Sequence, residues 1–317
     1  MNKKTIYILF FIFINQSFSE IIEFKSSNPF SFQDIIIDLG SQEEQKVFGT
    51  LRLPESNSNE KFPLIIGVAG SLGWKEHHLS QLEMYREMGI ATFELNSFIS
   101  RDITSTVGSQ VKVTTAMLIV DSYSALDVLS QHEKIDKNKI AITGWSLGGG
   151  TTLFSGWMPL INAINPENRF SAHLSYYPPC IAQPENLDFT ESPIHILIGE
   201  LDNWTPSQAC IELVDAIKEN GNNIGITVYD SSHHSFDSKL PITQVENGYN
   251  LTECLFKVRD DGAVLMNFLN IPMTSPIKQK IGLSFCASRG TSLGGNENAR
   301  NSSLQFSRTF MTQYLLN

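Results

Sequence analysis

The chain has 317 residues, of which 41% are hydrophobic and 18% are charged, which is the composition of an ordinary globular protein. It is long enough for one large core, or for one domain with elaborations. The formal net charge of −10 at pH 7 disfavours a nucleic acid or an anionic membrane as partner, because both are negatively charged.

The N-terminal segment has the pattern of a secretory signal peptide. Two lysines precede the apolar run 6–14, and small residues at 17–19 supply a cleavage position before Glu20. The run is too short to span a membrane, and no cysteine lies near the cut to carry a lipid anchor. We expect residues 1–19 to be removed and the mature protein to be secreted or periplasmic; a buried N-terminal helix is the alternative.

Apolar runs alternate with amphipathic stretches from about residue 34 to residue 230. This alternation predicts an α/β fold with a mostly parallel central sheet and helices on both of its faces. The clearest helix covers residues 113–129, where apolar side chains recur at spacings of three and four. About eight strands are predicted, at residues 35–39, 47–53, 64–68, 91–94, 140–143, 172–176, 194–198 and 224–229.

The segment 139–150 joins an apolar strand to a Gly-x-Ser-x-Gly turn centred on Ser146. Gly144 and Gly148 allow a sharp turn between strand and helix to pass close to its neighbours. Such a turn holds a serine hydroxyl where a substrate can reach it. The pattern predicts a nucleophile elbow and covalent acyl chemistry at Ser146.

A serine nucleophile needs a base, and the base needs an orienting carboxylate. Asp202 lies on the loop after the predicted strand 194–198, at the strand end where open parallel sheets place their sites. Glu200 is the rival carboxylate, but it lies nearer the strand. The alternative role for Asp202 is to cap the helix that starts at Pro206.

Two adjacent histidines, His233 and His234, follow the predicted strand 224–229. From that loop, either imidazole could reach Ser146 as the base. We expect no metal ion and no cofactor. Adjacent histidines point apart in an extended chain, and the sequence has no other ligand cluster with recognisable spacing.

The alternation changes in the last third of the chain. Residues 255–266 predict a small hairpin that turns at Asp-Gly, residues 272–296 are predicted to be loop, and Asn296 is expected to cap a final amphipathic helix.

A second Gly-x-Ser-x-Gly match surrounds Ser292. All seven histidines precede Ser292, so no base can follow it, and we interpret this match as loop.

Four cysteines remain after export, and an oxidising compartment allows them to pair in any of three ways. Cys180 and Cys210 are both expected at one edge of the sheet, whereas Cys254 and Cys286 bracket a late segment. We favour disulfides between Cys180 and Cys210 and between Cys254 and Cys286. Isolated buried thiols are the alternative.

Three segments together resemble the dienelactone hydrolase family of the α/β-hydrolase superfamily. They are residues 144–149, 199–206 and 229–237. The resemblance covers most of residues 45–240 and implies the α/β-hydrolase fold, with His234 as the base and Asp202 as the acid. Because the dienelactone enzymes carry cysteine where this chain has Ser146, it implies a serine esterase rather than dienelactone cleavage.

Acyl transfer also needs donors for the oxyanion. One is expected to be the backbone N–H of Leu147, after the nucleophile, and the other the backbone of Ser71 on the loop 67–73. A plain glycine turn is the alternative for that loop. Aromatic side chains that could wall the substrate pocket, or simply belong to the core, are Trp145, Tyr176, Tyr177 and Trp204.

The sequence therefore predicts a secreted serine hydrolase that acts on a small carboxylic ester through an acyl-enzyme. A peptidase or acyltransferase of the same fold, or a non-catalytic binding protein on a hydrolase scaffold, are the alternatives. Residues 20–317 are expected to form a single α/β-hydrolase domain. Within it, about residues 240–295 form a loop-rich, disulfide-bearing insertion before the C-terminal helix.

Overall fold

The computed structural model describes residues 19–55 and 60–317 of the chain. Apart from Ser19, the predicted signal peptide lies outside the described residues. Within the described ranges, no helix combines the length and the apolar character needed to cross a membrane.

The strands of the described residues fall into one large sheet and two small ones. They are β1 (Ser19–Ser27), β2 (Glu44–Arg52), β3 (Phe62–Val68), β4 (Ala91–Leu95), β5 (Ile135–Trp145), β6 (His173–Tyr176), β7 (Ala182–Pro184), β8 (Ile194–Gly199), β9 (Ile224–Tyr229), β10 (Thr243–Asn250), β11 (Phe256–Val258) and β12 (Ser288–Leu293). The large sheet has the order β1-β2-β4-β3-β5-β6-β8-β9. The pairs β1–β2 and β2–β4 are antiparallel, and the other pairs of this sheet are parallel. The mostly parallel eight-stranded sheet is thereby confirmed.

Helices separate most of these strands along the chain. They are α1 (Phe32–Asp38), α2 (Glu76–Glu87), α3 (Thr115–Ser130), α4 (Leu147–Phe154), α5 (Met158–Ile164), α6 (Ser207–Glu219), α7 (Pro276–Ser284) and α8 (Glu297–Met311), with short 3₁₀ turns at Leu39–Ser41 and Ile99–Arg101 and a π turn at Thr312–Leu316. The helix predicted at 113–129 is α3. Its N-cap is Thr114, whose hydroxyl accepts a hydrogen bond from the N–H of Met117.

One predicted strand, at residues 35–39, is wrong. Residues 35–38 belong to α1, and Leu39 begins the following 3₁₀ turn, because Ser31 and Asp34 form a capping box that starts a helix. Phe32 and Ile35 then face the core, while Ile37 is exposed. The eighth strand of the sheet is instead β1, which pairs with β2 and begins at the predicted cleavage site.

The insertion, residues 240–295, has more regular structure than predicted. The expected loop 272–296 contains α7, which is capped by Ser275 and has proline at its first position, and β12, which pairs with β10. The predicted turn near Asp-Gly is present, since the N–H of Gly262 donates to the carbonyl of Arg259. Asn296 caps α8 as expected.

Two disulfides are present, and they join the predicted partners. Cys180 is bonded to Cys210, with Cα atoms 4.9 Å apart, and Cys254 to Cys286, with Cα atoms 5.1 Å apart. The first is fully buried within the main core. The second crosslinks a smaller hydrophobic cluster that belongs to the insertion.

We expect the unfolded, unreduced protein to show no reactive thiol, because the described residues contain no free cysteine. Proteolysis without reductant, followed by mass spectrometry, should recover one peptide pair joined through Cys180 and Cys210 and another joined through Cys254 and Cys286. Four reactive thiols, or peptides with exchanged partners, would contradict this pairing.

Candidate active site

The nucleophile elbow is formed where β5 turns into α4. Ser146 has φ 57° and ψ −114°, a left-handed conformation that is rare for residues other than glycine. A Cβ atom at Gly148 would collide with the carbonyl oxygen of Val68, and one at Gly144 with the carbonyl of Gly148. The small residues of the motif are therefore required by the close approach of three backbone segments.

A continuous hydrogen-bond chain links Ser146 to Asp202 through His234. Nε2 of His234 lies 2.9 Å from Oγ of Ser146, and Nδ1 lies 2.7 Å from Oδ2 of Asp202. Because a carboxylate only accepts, Nδ1 carries the proton and Nε2 is free to accept from the serine hydroxyl. His234 is 2% exposed and Asp202 4% exposed, so this pair is shielded from water, whereas Ser146 is partly exposed.

Asp202 contacts the imidazole and holds its own loop, but it does not cap α6, whose N-cap Pro206 makes no side-chain hydrogen bond. Its Oδ1 atom accepts hydrogen bonds from the backbone N–H groups of Trp204 and Thr205, at 2.9 and 2.8 Å. Its Oδ2 atom accepts from the Thr205 hydroxyl and from His234. Glu200 points elsewhere, is exposed, and accepts from the N–H of Ser231.

The neighbouring histidine, His233, turns away from the nucleophile. Its Nδ1 atom lies 2.8 Å from Oγ of Ser292, in the second Gly-x-Ser-x-Gly match. That match is a strand, β12, and not the predicted loop. Asn203 accepts from the N–H of Ser292 at 3.0 Å, and Gly294 donates to the carbonyl of His234 at 2.9 Å. The second match therefore braces both the acid loop and the base loop.

The expected oxyanion donors lie beside the nucleophile. Leu147 is the first residue of α4, where a helix leaves its backbone N–H without an intrahelical partner. The loop after β3 packs onto the elbow so closely that a Cβ atom at Gly70 would lie 3.0 Å from the carbonyl oxygen of Trp145. Ser71 on this loop borders the same space as Ser146.

Tyr177 and Trp204 flank the imidazole of His234, and a buried carboxylate anchors Tyr177 and the nearby Trp145. Tyr177 meets His234 edge-on, with 4.7 Å between ring centroids. The Tyr177 hydroxyl donates to Asp237 at 2.9 Å, and Nε1 of Trp145 donates to the same carboxylate at 3.1 Å. Burial, together with the charge of Asp237, raises the pKa of Tyr177 well above its usual value and keeps the phenol protonated as a donor.

Asp237 was not given a role from the sequence, because its partners lie 60 and 92 residues away along the chain. Tyr176 differs from its expected place on the pocket wall. It lies in the core, where its hydroxyl accepts from Nε2 of Gln81 at 2.9 Å.

Ser146 lies between two spaces. The larger, here called the apolar cavity, has a volume of about 200 Å³ and extends from Ser71 and Ser146 toward the insertion. The smaller, here called the groove, has a volume of about 40 Å³ and is bordered by Tyr177 and His234. Trp204 borders both. Among the described residues, no group of three or more histidines, cysteines or carboxylates is placed to hold a metal ion.

A model of the dienelactone hydrolase family matches residues 84–253, more than half of the chain. The chain belongs to the dienelactone hydrolase family. It is therefore a hydrolase of the α/β-hydrolase superfamily, in a form that has serine at the nucleophile position.

Solved structures similar to this chain include a dienelactone hydrolase-like protein and an esterase. A dienelactone hydrolase-like promiscuous phosphotriesterase from metagenomic libraries is 12% identical, with 93% of this chain and 98% of that chain covered and a TM-score of 0.55. Apo esterase 2 of Thermogutta terrifontis is 17% identical, with 67% and 85% covered and a TM-score of 0.48. At these identities the likeness concerns the fold. No curated protein matches.

We expect the Asp237→Ala variant of this dienelactone hydrolase family member to lose about 3 kcal/mol in free energy of unfolding. The substitution leaves two buried donors, on Trp145 and Tyr177, without an acceptor, and each such loss costs about 1–3 kcal/mol. Urea denaturation measures the change. The control is Asp230→Ala, an exposed carboxylate on the same loop, which should change the value by less than about 0.5 kcal/mol. Equal effects of the two substitutions would contradict the role of Asp237.

Proposed function

We propose that the protein hydrolyses carboxylic esters through an acyl-enzyme formed on Ser146. The observation that carries this proposal is the hydrogen-bond chain from Asp202 through His234 to Ser146, which ends where the apolar cavity and the groove meet. An oriented imidazole next to a serine is the arrangement that makes a hydroxyl nucleophilic at neutral pH.

In the acylation step, Oγ of Ser146 attacks the ester carbonyl while its proton passes to Nε2 of His234. The imidazolium formed is stabilised by the carboxylate of Asp202. Collapse of the tetrahedral intermediate breaks the bond to the alcohol oxygen, which takes the proton from Nε2. Water then attacks the acyl-enzyme by the same route, releasing the carboxylic acid and restoring the serine.

The backbone N–H groups of Leu147 and Ser71 are proposed as the oxyanion donors. Leu147 lies at the N-terminus of α4, so the helix dipole also favours negative charge there. Removal of one such donor from a serine hydrolase lowers kcat by about 10²–10³-fold. We expect a loss of similar size when the donor on the loop after β3 is displaced.

We further propose that residues 20–317 form one domain that acts outside the cytoplasm. Two disulfides support an oxidising compartment. The hydrogen bonds of Asn203 and His234 to the insertion support its belonging to the same domain as the triad.

The two Gly-x-Ser-x-Gly serines supply a matched test. We expect Ser146→Ala to lower kcat for p-nitrophenyl acetate by at least about 10³-fold, the effect of removing a nucleophile from a triad. Ser292→Ala, which removes only a bracing hydroxyl, should stay within about tenfold of the parent. Circular dichroism checks that both variants are folded.

Activity that survives Ser146→Ala would contradict the assignment of the nucleophile. Absence of ester hydrolysis by the folded parent would favour the alternative of a non-catalytic binding protein. Transfer of the acyl group to an added alcohol, with little release of acid, would favour an acyltransferase.

A further inference from the structure

The apolar cavity is built for an uncharged, hydrophobic group. Its walls beyond the triad include Phe32, Phe154, Leu251, Phe256, Met273 and Leu283. None of the described residues that line it is a lysine, arginine, histidine, aspartate or glutamate. A charged group that entered it would lose hydration without gaining an oppositely charged partner, which is unfavourable.

The position of the imidazole determines which half of an ester enters this cavity. The leaving alcohol must take its proton from Nε2 of His234, and His234 borders the groove but is not among the described residues that line the apolar cavity. The alcohol side of the ester is therefore directed to the groove. The acyl chain, on the other side of the carbonyl carbon, is directed past Leu147 into the cavity.

The volume of the cavity sets the size of the acyl group. A cavity of about 150 Å³ with apolar walls admits benzene, which has six carbons. On the same scale, a cavity of about 200 Å³ holds about eight carbons.

The insertion supplies much of this wall and is fixed relative to the nucleophile. The N–H of Leu251 donates to the carbonyl of Asn203 at 3.1 Å, and the N–H of Phe256 donates to the carbonyl of Ile181 at 2.7 Å. The Cys254–Cys286 disulfide crosslinks the hydrophobic cluster behind these residues. The wall is therefore preorganised, so substrate binding need not order it.

We propose that the apolar cavity is an acyl pocket and that the substrates are esters of uncharged monocarboxylic acids with about six to eight acyl carbons. This inference rests on the proposed ester hydrolysis and adds its substrate class. Five lining residues of the cavity follow the segment 84–253 that matches the family model, namely Phe256, Val264, Met273, Gln279 and Leu283. The insertion therefore supplies part of the wall that would set this selectivity, together with residues of the main domain such as Phe32, Phe154 and Ala182.

The test is the dependence of kcat/KM on acyl length, measured with p-nitrophenyl acetate, butanoate, hexanoate, octanoate and dodecanoate. We expect a rise of about fourfold for each methylene that is buried, up to hexanoate or octanoate, and a fall at dodecanoate. Mono-p-nitrophenyl succinate, whose acyl group is charged, should be a poorer substrate than butanoate.

A filled pocket should shift this profile. Ala182 lines the cavity, and Ala182→Leu adds three carbons, so we expect kcat/KM for octanoate to fall at least about tenfold more than kcat/KM for acetate. The matched control is Ala163→Leu. Ala163 is also half-buried, but it lies on α5, away from the cavity, and its variant should keep the parent's profile.

The outcomes separate this inference from the proposed function. Hydrolysis of acetate that depends on Ser146, but with kcat/KM flat or falling with acyl length in the parent, overturns the acyl pocket and leaves ester hydrolysis standing. A preference for long alcohols, measured by comparing hexyl acetate with ethyl acetate, together with a flat acyl profile, assigns the cavity to the alcohol and overturns the proposal. No hydrolysis of any ester overturns both.

Discussion

The catalytic geometry depends on the close backbone approach between β3 with its following loop and the turn at Ser146. Gly148 has no room for a side chain against Val68, and Gly70 has little against Trp145. This packing holds Ser146 in its left-handed conformation and places the loop of Ser71 opposite the helix N-terminus. The hydroxyl and the expected oxyanion donors are thus positioned before a substrate binds, which is the condition under which such donors are most effective.

The acid and the base need a second constraint, because they lie on separate loops. Strand β12 provides it, since Asn203 next to the acid and His233 next to the base both bond to Ser292, and Gly294 bonds to the carbonyl of His234. The same insertion walls the apolar cavity. Under the proposed function, the segment that holds the loops of Asp202 and His234 also limits what can reach Ser146, so we expect selectivity and catalytic geometry to be coupled.

The sequence was sufficient for the features that depend on local pattern. Ser146, Asp202 and His234 each follow a strand of the parallel sheet, and parallel strands bring their carboxyl ends to one edge. It was insufficient where distant residues meet, as for Asp237 with its two aromatic donors, or Asn203 with β12. The segment 35–39 misled because three consecutive isoleucines have strand composition, whereas the capping box before them starts a helix.

The central claim is that Ser146, and not the similar serine at 292, is the nucleophile. The most direct measurement is to react the folded protein with a fluorophosphonate probe, digest it and locate the added mass by mass spectrometry. The account predicts stoichiometric modification of Ser146 alone, with none when the protein is first unfolded, because an unassembled triad does not activate the serine. Modification of Ser292, or no modification of the folded protein, would contradict it.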